Sequence, residues 1–535
     1  MWKRNLLFLG LIGGGIVTLG ANLIPPRERK QITSYDAAAH READFQASVD
    51  HVNASFRQKW TEEDLRKAPS APDLAVARRL ALGLMGTIPS VEEIRQFERL
   101  PPDQRQAWWV DHILEDRRFA DYFAERYART FVGTEDGPFI LYRRRRFVAW
   151  LGDQFAVNRP YDQMVRDLID AEGLWTDKPA TNFVSVTIQP DNKNQPDPVR
   201  LAGRVTRAFL GLRLDCAQCH NHPFAQWEQS DFQGFSAFFG QTHLGFTGVY
   251  DGAGEYQIED KKTKEKKTVD PRVPFSPELL PGQGSARWQL ACWVTDGKNP
   301  YFARAAVNRV WALMFGRPLV EPVDNLESTS HAPAALQILA DDFAAHNFDM
   351  RRLIRLIAAT EVFQLDSAAE HEITEEEDQA WAAFPISRMR PEQVVGGVIQ
   401  SGSVTTLDMQ SHLLIRIMKL GQQNAFVQRY GDSGEDEFDG RVGTIPQRLL
   451  MMNGKITAEK TKDGPFNAST RIGWMAPDDA HAVEVAYLAV LTRRPTPDEA
   501  AHFEAFLADP NLPRGQRMED LYWTLLNSTE FSWNH

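Results

Sequence analysis

A chain of 535 residues with 43% hydrophobic, 10% aromatic and 25% charged side chains has ample core-forming material, which excludes a mainly disordered polymer. Its 72 acidic against 60 basic residues give a formal charge of −12. This argues against a general nucleic-acid or anionic-membrane binder, since both need surplus Lys and Arg to meet phosphates. Only 3 cysteines occur, so a disulfide-stapled framework is excluded as well.

Lys3 and Arg4 precede an uncharged stretch, residues 5–24. At about 1.5 Å per residue such a stretch is long enough to cross a hydrocarbon core of roughly 30 Å. The small residues that mark a cleavage site are poorly placed, with Leu19 two positions before Ala21. Residues 1–24 are therefore expected to be a signal anchor or signal peptide, the anchor being preferred. The bulk of the chain is then exported to the periplasmic side, touching the inner membrane through this helix only. Residues 25–70 are polar and charged and read as a linker with room for some helix.

Helical periodicity begins near Pro72, where Leu74, Ala77, Leu80 and Leu84 share a face. Ser90 with Glu93 predicts a capping box, because hydroxyl and carboxylate satisfy orphan N–H groups of a helix start. Residues 119–131 and 146–155 continue the helical pattern. The Asn158-Arg159-Pro160-Tyr161 turn opens another helix, with Asp162 in its first turn. This first helical domain is assigned to 71–245. A connector at 246–284 carries strand-like Val249-Tyr250 and Tyr256-Gln257-Ile258, with Gly252 and Gly254 as punctuation. Its lysines (Lys261, Lys262, Lys264, Lys266, Lys267) suit a solvated hairpin tip or loop.

The second helical domain is assigned to 285–535. Phe302, Ala306, Val310 and Leu313 line a helix that Gly316 stops, and Leu336, Leu339 and Phe343 mark the next. Gly431, Gly434, Gly440 and Gly443 predict a loop. The fold class expected is mainly α: two helical domains joined by a short β-hairpin or loop insertion.

The segment that carries chemistry is Cys216-Ala217-Gln218-Cys219-His220-Asn221-His222. Cys-x-x-Cys-His is the spacing that attaches haem c. Two thiols about one turn apart form thioethers to two vinyl groups, and the adjacent imidazole becomes the proximal iron ligand. Three other readings stay open: a short Cys216–Cys219 disulfide, a zinc held by Cys216, Cys219, His222 and one distant residue, or an inert pair. For the sixth iron position, Met314 lies across the connector, and His243, after the Phe235–Phe238–Phe239 cluster, is the best local residue. Cys292 sits in apolar surroundings and is expected to pack as a buried thiol. Arg143 to Arg146 are expected to be solvated or ion-paired. There is no phosphate-cradling glycine loop, no His-Glu-x-x-His and no nucleophile elbow.

Several stretches give a resemblance. They are Asn158-Arg159-Pro160-Tyr161-Asp162, the run from Phe209-Leu210-Gly211-Leu212 into Cys216 to Phe224, and Trp227 with Asp231-Phe232. In the second half they are Asn299-Pro300-Tyr301-Phe302-Ala303-Arg304, Val307-Asn308-Arg309-Val310-Trp311 and Phe315-Gly316-Arg317, then Leu491-Thr492-Arg493-Arg494-Pro495 and Leu526-Asn527-Ser528-Thr529-Glu530-Phe531. With these, residues 71–535 resemble a planctomycete cytochrome-like family of exported proteins, a PSCyt-type domain followed by a PSD-type domain, both of unknown function. The resemblance implies a mainly helical exported protein with a haem-c site on Cys216, Cys219 and His220. It implies no particular reaction. Relatives often carry a cysteine-bearing segment before the stretch that here reads Leu450-Met451-Met452-Asn453-Gly454, and residues 435–448 contain none. The expected function is an exported single-haem protein in electron transfer or redox chemistry, with a redox partner protein. The alternative is a non-redox binding or scaffold protein whose cluster holds zinc or a disulfide and whose second half engages a partner or polysaccharide.

Overall fold

The computed structural model describes residues 33–134, 144–188, 195–221, 226–259, 264–327, 332–408, 426–427, 429–430 and 445–535. The expected helix at 5–24, His222 and the glycine loop at 431–443 lie outside the described residues, as do Arg143, Lys261 and Lys262. The chain is mainly helical, with small two-stranded hairpins. The first half is built from α1 (Ala43–Glu62), α2 (Asp73–Met85), α3 (Val91–Arg99), α4 (Pro102–Glu115), α5 (Arg117–Val132), α6 (Arg144–Ala156) and α7 (Tyr161–Asp170). Then come α8 (Pro198–Val205) and α9 (Gln229–Ala237), followed by strands β1 (Thr242–Gly245), β2 (Gly248–Asp251), β3 (Gln257–Glu259) and β4 (Lys266–Thr268). The second half opens with α10 (Ala286–Val294), α11 (Phe302–Phe315) and α12 (Ala334–Ala345).

Local chemistry explains many of these boundaries. Ser90 Oγ accepts from the Glu93 N–H at 3.1 Å, and the Glu93 carboxylate accepts from the Ser90 N–H at 2.8 Å, which is the expected capping box. Gly316 ends α11 in the left-handed region, φ +84°, where residues with a Cβ are strained.

Residues 43–62 lie in the stretch expected to be a polar linker, yet they form the 20-residue α1. Phe45, Val49, Val52, Phe56 and Trp60 recur at steps of three or four and are all buried. Their stripe packs against α12, and the Trp60 indole donates to the Ala380 carbonyl at 2.9 Å. Ser48 donates to Asp342 at 2.7 Å, and Arg57 pairs with Glu361 at 2.6 Å. The helix is held by second-half residues far along the sequence. Upstream of it, Tyr35 and His40 both reach Asp111, the latter at 3.0 Å, and Arg355 reaches the same carboxylate at 2.6 Å.

The apolar core does not divide at the connector. One cluster runs from Phe45 through Leu80, Leu84, Phe209, Trp311 and Phe315 to Phe384. A second gathers Val395, Tyr487, Leu521 and Tyr522, and takes in Leu82, Ile88 and Val91 from the first half. Helix α2 therefore feeds both. It approaches α11 closely because residue 83 is glycine: a Cβ there would sit 3.1 Å from the Met314 Cα. Met314 itself is fully buried in this contact region.

The connector and the four residues just before it form two antiparallel hairpins, β1 with β2 and β3 with β4. The first is fixed to the helices by a reciprocal pair of backbone bonds between Gly173 and Val249, at 2.7 and 3.0 Å. At Gly248, φ is +100° and a Cβ would overlap the Gly173 carbonyl, so this junction requires glycine. Arg287 of α10 is completely buried beneath the hairpin and pairs with Asp251 at 2.7 Å. It also donates to the carbonyls of Ile169 and Ala171 at 3.2 and 2.9 Å. Among the described residues no helix is long and apolar enough to cross a membrane.

Candidate functional site

Helix α8 passes into a π-helical turn, Thr206–Leu210, of the kind frequent near functional sites. Gly211 then reverses the chain at φ +60°, where a Cβ would press on Leu326 at 3.0 Å. The next element is a 3₁₀ turn, Leu214–Gln218, with Cys219 as its cap. Because a 3₁₀ helix repeats every three residues, Leu214 and Ala217 share the inner face and are both buried. Cys216 and Cys219 are likewise three apart, and both are exposed, as are Gln218, His220 and Asn221. Neither thiol is bonded to another. An apolar inner face thus holds a turn whose outer face carries the reactive groups.

The side chains around this turn are ordered by ion pairs. Arg207 chelates Asp215 with contacts of 3.0, 3.0 and 2.9 Å and also reaches Asp324 at 3.1 Å. Arg213 grips Asp324 at 3.0 and 2.7 Å. Burial works against the Arg207 charge. Hydrogen bonding to Asp215, and the fields of Asp215, Asp324 and the Cys216 sulfur, nevertheless hold the guanidinium above its usual range. On the far side of the motif, Gln229 donates to the Gln218 carbonyl at 3.1 Å and to the Asn221 side chain at 3.0 Å.

His220 Nδ1 lies 2.6 Å from the Asn221 carbonyl. A carbonyl only accepts, so Nδ1 donates this bond, which leaves Nε2 as the nitrogen that could meet a metal. This is how ligating imidazoles are oriented: the hydrogen bond from one nitrogen fixes the tautomer of the other. The donor set fits covalent haem attachment, which needs two separate free thiols and a neighbouring imidazole with a free nitrogen. Cys216 and Cys219 are consistent with haem c.

Among the described residues, one group of three or more His, Cys, Asp or Glu has all its donor atoms within 4.8 Å of one another, and it is Glu93, His112 and Asp116. Cys216, Cys219 and His220 do not converge in this way, so these three do not form a ready tetrahedral cage. The zinc alternative depends on His222, outside the described residues. The Glu93 cluster gave no signal in the sequence beyond its capping box. Glu93 is fully buried, and Arg118 pairs with both Glu93 and Asp116. Burial opposes the Glu93 charge, but Arg118 and then His112 carry its carboxyl well below the usual range. The guanidinium already supplies the cation there.

His243 is half-buried in β1, its ring centroid 5.7 Å from that of its cross-strand partner Tyr250 and its edge against Gly252. It forms no hydrogen bond to the 216–220 turn. Cys292, expected to be buried, is half-buried in α10, and burial pushes its thiol up. Arg144 is paired with Glu125 at 3.0 and 2.8 Å, while Arg145 and Arg146 are exposed.

Residues 51–244 match the PSCyt2 family model, described as a protein of unknown function (DUF1549). Residues 286–507 match the PSD1 family model, also a protein of unknown function (DUF1553). No curated protein and no solved structure matches the chain. A PSCyt2 domain followed by a PSD1 domain places this chain in the planctomycete cytochrome-like family, whose domains have no established function.

Proposed function

We propose that this protein is an exported, membrane-anchored carrier of one covalent haem c, held by Cys216, Cys219 and His220, that serves in electron transfer or redox chemistry. The observation that carries this reading is the hydrogen bond from His220 Nδ1 to the Asn221 carbonyl, beside two free, exposed thiols on the same turn. Cys216 and Cys219 provide the two attachment points, and His220 Nε2 provides the iron ligand. Leu214 and Ala217 anchor the turn to the core, so the three groups hold their relative positions. A haem held there supplies a one-electron carrier at the protein surface. Exposure of the turn suits docking of a redox partner protein against it. With one such motif in the chain, longer electron paths need haems on that partner. Residues 5–24 serve as the anchor, with the folded body on the periplasmic side.

The test is expression of the full chain in a host that attaches haem c. The purified protein is expected to show a Soret band and an α band, and to keep a haem-stained band on a denaturing gel. Cys216→Ser with Cys219→Ser should lose that band. A colourless protein carrying zinc by elemental analysis would overturn the proposal in favour of a non-redox scaffold.

A further inference from the structure

The 216–220 turn lies in the PSCyt2 domain, but several of the contacts that flank it come from the PSD1 domain. Asp324 holds both Arg207 and Arg213, on the arm that enters the turn. The Leu326 N–H donates to the Gly211 carbonyl at 2.8 Å, and the Leu326 side chain fills the space that the missing Gly211 Cβ leaves. On the arm that leaves the turn, the indole of buried Trp227 donates to Glu327 at 2.8 Å. The other oxygen of Glu327 accepts from the Tyr301 hydroxyl at 2.6 Å, which ties the same carboxylate to the start of α11. Three residues within one four-residue stretch thus grip the chain on both sides of the Cys-x-x-Cys-His motif.

We infer that the 324–327 loop of the PSD1 domain is the positioning element of the cysteine–histidine turn, with Asp324 and Glu327 as its positioning residues. This rests on the haem reading only for its functional meaning: the site is composite, its attachment groups supplied by one domain and their placement by the other. Asp324 acts through Arg207 and Arg213, and Glu327 acts through Trp227. Neither forms a hydrogen bond or ion pair with the thiols or the imidazole, so both are positioning residues rather than catalytic ones. The arrangement gives the second domain a route to tune the first, because any movement of the loop shifts both arms of the turn together.

The experiment uses the full chain, with Asp324→Asn, Glu327→Gln and the charge-retaining Asp324→Glu. Amide hydrogen exchange is measured without haem, and the visible spectrum and midpoint potential are measured on haem-loaded protein. Asp324→Asn and Glu327→Gln should speed exchange in residues 211–221 by about threefold, as expected for a local opening held by solvent-accessible pairs. Exchange in Asp479–Leu491 should stay unchanged, and Asp324→Glu should restore most of the protection. In loaded protein the first two variants should shift the midpoint potential and the Soret line, and Asp324→Glu should return both toward wild type. Wild-type exchange at 211–221 in both neutralised variants, or uniform acceleration across the chain, would overturn the inference. Should the wild-type chain take up no haem, the function proposed above fails, while the exchange measurement still decides whether the loop positions the turn.

Discussion

The 216–220 turn and the β1–β2 hairpin precede and follow the same helix, α9, and both are tied down by arginine–carboxylate pairs. The settings of those pairs are opposite. Beneath the hairpin, Arg287 has no solvent exposure and Asp251 has 13%. Beside the turn, Arg207 and Arg213 are 40% and 35% exposed and their shared partner Asp324 is 19% exposed. A buried pair is costly to break because the abandoned charge stays out of water. A water-accessible pair can orient a segment while contributing little to global stability. The hairpin is thus locked as architecture, and the turn is placed without being covered, leaving its thiols open to chemistry.

The sharpest way to break this contrast is Arg287→Ala. It leaves Asp251 without its charge partner and should cost about 3–5 kcal/mol in chemical denaturation, as for other buried pairs with one member removed. A loss below about 1 kcal/mol would show that the hairpin is not locked in this way.

Attachment of the N-terminal segment through Asp111 falls between the two settings. Burial opposes the Asp111 charge, but hydrogen bonds from His40, Tyr35 and Arg355 bring its carboxyl down to about 2. A carboxylate whose folded value is depressed stabilises the protein above its unfolded value, near 3.9, and loses that contribution as pH falls toward 2. The stability at stake is about 2 kcal/mol. Denaturation midpoints measured from pH 5 down to pH 2 should fall accordingly, and Asp111→Asn should flatten part of that slope.

Smaller again is the global effect of Asp324→Asn, expected to be below about 1 kcal/mol because its partners are solvent-accessible. Smallest is Cys216→Ser. At an exposed position it should change stability by no more than about 0.5 kcal/mol, yet on the proposed haem reading it should remove one of the two covalent links. The denaturation midpoint and the mass of the haem-bearing species check both halves of that expectation. A large stability loss on Cys216→Ser would place the thiol in the architecture and erase the contrast.

Local signals in the sequence were faithful where neighbours decide the structure. The Ser90–Glu93 box opens α3, the turn before Tyr161 opens α7, and Gly316 closes α11. The connector's strand-like residues fall in or beside the two hairpins. Helix α1 escaped because its apolar stripe is diluted by charged residues such as Asp50, Arg57 and Lys59, and its reason to fold is a partner face nearly 300 positions later. The seam between the two cores was hidden for the same reason: nothing local at Leu82, Ile88 and Val91 says which distant neighbours they meet. The cysteine–histidine motif was legible from spacing alone. Its supports were not, since Arg213 and Asp324 are 111 residues apart.

Because α2 contributes side chains to both apolar clusters, severing the chain anywhere between the two family segments strips each fragment of part of its interior. The upstream fragment would present Leu82, Ile88 and Val91 to water, and the downstream fragment would lose the backing of Gly83 against Met314. Each piece would lose core contacts that the other supplies, which ties the packing of either segment to the presence of its neighbour.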